Sequence, residues 1–198
     1  MRNVLIILAH PNLANSQINK ALIQSLENND NVIIHDLYLA YPDSVIDIDK
    51  EQQRLLKADV VVFQHPFYWY SAPAILKEWF DLVLQFNWAY GPNGNALKGK
   101  HWLSVITTGG SQKAYCTQGH NRFTIRELLT PFDQTAHLCE MTFMPPFVAY
   151  GARNLGKSAE LLEKTCLQYQ STIADLQDEQ FELDSLNHLN TLNQRWEQ

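Results

Sequence analysis

Short, unbroken apolar runs alternating with helical patterns constrain this chain more than any other feature. Residues 4–9 read VLIILA, residues 60–64 VVVFQ and residues 102–107 WLSVIT. Successive side chains of a strand point to opposite sides of its sheet, so a run apolar at nearly every position is covered on both faces. Between these runs the period changes. Residues 16–26 place Ile18, Ala21, Leu22 and Leu26 at helical spacing, residues 48–57 predict a short helix, and residues 72–84 form an apolar face from Ile75, Leu76, Trp79, Phe80 and Val83. Residues 32–37 predict a further strand and residues 123–132 are mostly helical. Residues 141–150 hold a strand interrupted by Pro145 and Pro146, and a last amphipathic helix spans residues 157–176. Alternation of this kind implies a parallel sheet between two helical layers.

Five strands fit an α/β three-layer sandwich of flavodoxin-like order, whereas a closed parallel barrel needs eight. The expected organisation is one domain over residues 1–176, with a polar extension over 177–198. That extension repeats Leu-Asn pairs without clear caps. It reads either as a weak helix lying on the body or a partner, or as a partly ordered tail. The net charge of −6 argues against a general nucleic-acid grip, which needs a basic face. No apolar run approaches the roughly 20 residues that cross a bilayer. The opening MRNVLIILAHP is read as a buried strand rather than a signal sequence, because the apolar run is short and His10-Pro11 stands where small residues would be cleaved. Cys116, Cys139 and Cys166 lack CxxC spacing, as expected of free thiols in a reducing cytoplasm. The histidines show neither HxH nor HExxH spacing, so no metal is expected.

In open parallel sheets ligands bind beyond the carboxyl ends of the strands, at the point where strand order reverses. Three loops therefore carry the functional reading: residues 10–19, 64–72 and 107–120. In the first, Ser16 is a good helix N-cap, and the unpaired N–H groups of a helix start attract phosphate. His10, Ser16 and Asn19 add side-chain donors, although Ser16 also reads as an ordinary cap. Neither a Walker sequence nor GxGxxG is present, which weighs against a nucleoside triphosphate or a Rossmann-bound dinucleotide. The second loop strings together Phe67, Tyr68, Trp69 and Tyr70, which cover either a planar ligand, the domain core or a dimer interface. In the third, Thr107, Thr108, Gly109 and Gly110 expose backbone donors to developing negative charge, with Tyr115 and His120 following; a plain glycine turn is the alternative. A phosphate seat, an aromatic wall and backbone donors together fit a flavin mononucleotide.

The segments AHP with S-x-x-N, QHPFYWYSAPAILKEWFD, WAYG, ALKGK and TTGG resemble the NAD(P)H dehydrogenase (quinone) family of flavodoxin-like fold. LYLAYPDSVIDIDKEQ and MPPFVAYGAR resemble, within it, the ancillary proteins of glutathione-regulated potassium efflux systems; a general-stress oxidoreductase branch shares these features. The resemblance covers about residues 1–175. It implies a non-covalent flavin, FMN with FAD as the alternative, reduced by NAD(P)H. It places His10, Ser16, Gln17, Ile18 and Asn19 at the phosphate and ribityl end, Phe67 to Tyr70 along the ring, and Thr107 to Gly110 at its polar edge. Tyr115 and His120 would be the catalytic pair, stabilising charge during hydride transfer to a quinone or similar aromatic acceptor. Tyr90 matches a position where the partner subunit closes the site, which implies a homodimer. The implied function is two-electron ping-pong transfer from NAD(P)H through flavin to quinone. The alternative is a regulatory subunit that binds and activates a potassium efflux transporter, which would place a cytoplasmic protein at the inner membrane.

Overall fold

The structure, a computed structural model, describes residues 1–26, 29 and 31–197. Its strands are β1 (Val4–Leu8), β2 (Val32–Asp36), β3 (Val60–Pro66), β4 (His101–Thr107), β5 (Thr142–Phe143) and β6 (Phe147–Ala149). All pairings are parallel, in the order β2-β1-β3-β4-β5, and β6 also pairs with β4. The fifth position is thus two short strands on one neighbour, divided where Pro145 and Pro146 remove consecutive backbone donors. This is the expected flavodoxin-like α/β sandwich.

The helices are α1 (Gln17–Gln24), α2 (Leu37–Ala40), α3 (Ile48–Lys57), α4 (Ala74–Val83), α5 (Ile125–Leu128), α6 (Thr130–Leu138), α7 (Ala152–Leu155) and α8 (Ala159–Gln177). β1 is buried at every residue, as its unbroken apolar run requires. One face of the sheet packs Leu5, Ile7, Val61 and Phe63 against Trp79 of α4 and Phe132 of α6. The other packs Val4, Ile6 and Val62 against Leu22 of α1 and Tyr169 and Ile173 of α8.

Three elements depart from expectation. The strand expected to reach residue 37 ends at Asp36, whose carboxylate accepts the N–H groups of Tyr38 and Leu39 at 3.0 and 3.2 Å and starts the single turn of α2. The helix expected over residues 123–132 is two helices. α5 opens on a capping box between Thr124 and Glu127, and α6 runs on to Leu138. The extension past α8 forms two 3-10 turns, Leu183–Leu186 and Leu192–Trp196, that bury Leu183, Leu186 and Leu192 against the α8 side of the body.

A buried polar cluster joins β2, α2, α3 and α4. The carboxylate of Glu51, fully out of solvent, accepts Tyr41 Oη–H at 2.7 Å, Trp79 Nε1–H at 2.9 Å and Arg54 Nε–H at 3.2 Å. His35 Nε2 lies 2.9 Å from the same group. A buried carboxylate persists only with such partners.

Candidate functional site

The carboxyl ends of β1, β3 and β4 lie side by side, in the register Leu8–Gln64–Val105. That alignment brings the three loops together. At the end of β1, His10 Nδ1 accepts the Asn12 N–H at 3.1 Å. A neutral imidazole that accepts at Nδ1 carries its proton on Nε2, so one ring N–H remains for an anion. Burial pulls the His10 pKa down, and the Asp36 carboxylate pulls against it, which favours the neutral ring.

Ser16 caps α1, its Oγ accepting the Asn19 N–H at 3.2 Å. The first-turn N–H groups of Gln17 and Ile18 come before any intrahelical acceptor and remain for a phosphate. Ile18 can offer only its backbone there, because its side chain is core. The Asn19 side chain is likewise committed: buried, it donates through Nδ2 to Thr107 Oγ1 at 3.1 Å. Gln64 Nε2 donates to the Asn19 carbonyl at 3.3 Å, and Tyr169 Oη–H donates to Gln64 Oε1 at 2.7 Å. Asn19 and Thr107 are therefore struts between α1 and β4. The sequence offered no signal for Gln64 and Tyr169, which support them from β3 and α8.

At the end of β3, Phe67 is buried and its N–H is held by the Thr107 carbonyl at 2.9 Å. The chain then takes a conformation that L-residues avoid: Trp69 has φ 51° and ψ 41°, and Tyr70 has φ 62°. Two successive bulky residues in the left-handed region cost free energy that the surroundings must offset, and such strain concentrates at ligand sites. The effect is to hold the Trp69 ring 93% exposed. Tyr70 Oη–H donates to Asn121 Oδ1 at 3.2 Å, tying this tip to the loop after β4.

In that loop the Thr108 N–H is spent on the Ala149 carbonyl at 3.0 Å, and Thr108 Oγ1–H donates to the Gly110 carbonyl at 2.8 Å. The backbone donors left for a ligand are those of Gly109 and Gly110. A Cβ on Gly110 would lie 3.2 Å from Tyr115 Cε2, so glycine lets that ring close in. Burial pushes the Tyr115 pKa up, which keeps the phenol protonated and able to donate at neutral pH.

Phe67, Trp69, Tyr70, Gly109, Gly110, Tyr115 and His120 meet around a cavity of about 320 Å3, together with Ala114 and Asn121. That volume lies in the range of small-ligand pockets, roughly 300–1,000 Å3. Asn121, next to His120, was not singled out from sequence. His10, Ser16, Gln17, Ile18, Asn19, Tyr68, Thr107 and Thr108 do not line the cavity. The Asn19–Thr107 bond ties the helix after the first loop to the end of β4, from which the Gly109–Gly110 wall of the cavity continues. Among the described residues there is no cluster of three or more His, Cys, Asp or Glu suited to a metal ion.

The chain is 51% identical over 152 residues to the glutathione-regulated potassium-efflux system ancillary protein KefG of Pectobacterium carotovorum, covering 77% of this chain and 83% of that one. The crystal structure of general stress protein 14 from Treponema denticola in complex with FMN superposes with a TM-score of 0.83 at 34% identity, covering 88% of this chain and 99% of that one. An NADPH-quinone reductase from P. pentosaceus superposes with a TM-score of 0.79 at 33% identity, covering 87% and 97%. The sequence profile of the flavodoxin-like fold matches residues 2–173, and the chain belongs to that family.

Proposed function

We propose that this chain is an FMN-dependent NAD(P)H:quinone oxidoreductase. The observation that carries the reading is the cavity between Trp69 and Tyr70, held outward in left-handed backbone, and the Gly109 and Gly110 N–H groups, beside a helix start with open donors. The residues fit the cofactor: Gln17 and Ile18 backbone N–H groups and His10 for the phosphate, aromatic faces for the ring, Gly109 and Gly110 for its anionic edge. Bound FMN would supply a hydride relay from NAD(P)H to a quinone in two half-reactions that share one site. The chain's own part is orientation and electrostatics. Trp69 and Tyr70 would cover one face of a bound ring, and the two glycine N–H groups oppose negative charge without reorganising. Tyr115, kept protonated by burial, donates a hydrogen bond to an acceptor oxygen, and His120 lies on the same wall. Relatives named as an NADPH-quinone reductase and an FMN complex support the reading. Titration of the flavin-free protein with FMN and with riboflavin tests the seat. FMN should bind at least tenfold more tightly, and equal affinities would remove the phosphate from the account.

A homodimer belongs to this reading. An apolar groove of about 380 Å3 between α4 and α6 includes Phe80, Leu84, Tyr90 and Leu138, and Phe86 stands exposed nearby in sequence. A second copy would cover that face and bring its own Tyr90 loop toward the cavity. Light scattering should return about twice the 22.8 kDa chain mass, and a monomer at micromolar concentration would contradict it.

The 51% identity to KefG favours a second role beside the first: a cytoplasmic subunit that docks on a potassium efflux transporter at the membrane. No helix among the described residues is long and apolar enough to cross a membrane. Efflux measured with and without the protein, wild type and with Trp69→Gly, separates the roles. Activation that survives loss of flavin binding would assign it to docking alone.

A further inference from the structure

We propose that the C-terminal segment, residues 178–197, is a strap that positions the cavity loop between Gly109 and Thr124. The segment lies beyond the residues 2–173 matched to the family, so its role is a property of this chain rather than of the fold. It runs from the amino end of the sheet to the carboxyl end. Arg2, just before β1, donates to the Glu179 and Phe181 carbonyls at 3.2 and 3.1 Å at the start of the strap. Leu183, Leu186 and Leu192 then anchor it in the core.

Past these anchors the strap closes the open edge of β6. The Leu192 N–H donates to the Pro146 carbonyl at 2.9 Å. The Asn193 side-chain amide does what a neighbouring strand would do: Oδ1 accepts the Val148 N–H and Nδ2 donates to the Val148 carbonyl, each at 2.9 Å. An edge satisfied in this way is withheld from pairing with another chain. Arg195 reaches back to Asp175 of α8 at 2.6 Å and lies over the Trp196 ring at 5.1 Å.

Two ties leave the strap for the cavity loop, one at each end of it. Near its start, Gln112 Nε2–H donates to Glu197 Oε1 at 2.7 Å. Just past its end, Arg126 Nη1–H donates to the Leu189 carbonyl at 2.9 Å. Between the ties lie Tyr115, His120 and Asn121. Tyr115 also rests near Tyr150, with ring centres 6.1 Å apart, and Tyr150 follows β6, the strand the strap covers. Burial supplies the anchoring energy, and the two ties set where the loop sits. Gln112 and Arg126 are positioning residues: neither lines the cavity, and both act through Tyr115 and His120.

The catalytic part of the inference rests on the oxidoreductase reading above; the mechanical part does not. The variant that tests it is Gln112→Ala with Arg126→Ala, which cuts both ties and leaves the three buried leucines in place. Removal of residues 178–198 would expose core and is the poorer test. In the flavin-free double variant, hydrogen exchange of amides 109–124 should accelerate at least tenfold while β1 and β3 exchange as before. In the FMN-loaded protein the quinone KM should rise severalfold with a smaller change in kcat, and restoring a donor with Arg126→Lys should recover part of the loss. Unchanged exchange would overturn the strap. Faster exchange with an unchanged KM would leave a strap that does not position the site, and would overturn the catalytic part. Absence of flavin binding in the wild type would overturn the oxidoreductase reading, while the exchange result would still judge the strap.

Discussion

Replacing Trp69 by glycine should move stability and cofactor affinity in opposite directions. The ring is 93% exposed, so its removal forfeits almost no buried apolar surface. Its backbone, at φ 51° and ψ 41°, costs an L-residue roughly 1–2 kcal/mol that glycine does not incur. Against that gain, glycine loosens the unfolded chain by roughly 0.5–1 kcal/mol. The flavin-free variant should therefore be as stable as wild type or more stable by about 1 kcal/mol, a rise in Tm of roughly 2–4 °C for a chain this long. The stack on a bound heterocycle is lost, at roughly 1–3 kcal/mol for an aromatic pair of this kind. FMN should then bind about five- to 150-fold more weakly. Calorimetry of the flavin-free protein and titration of flavin fluorescence read the two effects separately, and Trp69→Phe should keep most of the binding. A variant that loses more than about 1 kcal/mol while binding FMN normally would refute the reasoning, because the ring would then be covering apolar surface.

Three further predictions concern buried polar groups. Tyr169→Phe strands Gln64 Oε1 in the core and should destabilise by about 1–3 kcal/mol, read from urea midpoints. Glu51→Gln replaces one acceptor oxygen of a fully buried carboxylate by a donor facing donors, and should cost about 3–5 kcal/mol at neutral pH. Burial alone would raise the Glu51 pKa, but the contacts from His35, Tyr41 and Trp79 outweigh it and the net shift is downward. The stability Glu51 contributes is thus present above the ordinary glutamate range and lost as pH falls through the lowered value, so the gap to the variant should narrow in acid. His65 is completely buried, its Nε2 without a partner among the described residues, and burial pushes its pKa down to about 4 against a weaker opposing contact from the Pro66 carbonyl. The unfolded chain takes up this proton first, so stability falls as pH drops from about 6.5 toward 4. His65→Leu should gain about 3 kcal/mol relative to wild type between pH 7 and pH 4 in denaturant midpoints.

The layers of the fold were legible because β1, β3 and β4 carry their burial in mostly apolar runs, and because α4 carries a single apolar face. Element ends were legible where a side chain marks them, as Ser16 marks α1. The α2 turn was not, because Asp36 reads as a strand residue until its carboxylate is seen to cap the next two N–H groups. At the cavity, residue types pointed to the correct loops, but not to what each side chain touches. Asn19 and Thr107 look like ligand donors in sequence and spend their side chains on each other, and the Thr108 N–H is spent on Ala149, 41 residues away. The left-handed backbone at Trp69 and Tyr70 has no sequence mark, since glycine or asparagine would ordinarily signal it. The tail was opaque for a related reason. Its leucines at 183, 186, 189 and 192 recur every third residue, a spacing that suits a weak helix as readily as the two 3-10 turns they form, and they find their burial against strands and helices distant in the chain.

The measurement that tests the central claim most directly is the visible spectrum of the FMN-loaded protein under anaerobic conditions, after NADPH and then after a quinone. The account predicts that the flavin absorbance bleaches with the first addition and returns with the second, with both responses weakened in Trp69→Gly. A protein that takes up no flavin, or whose flavin ignores NADPH and NADH alike, would contradict it.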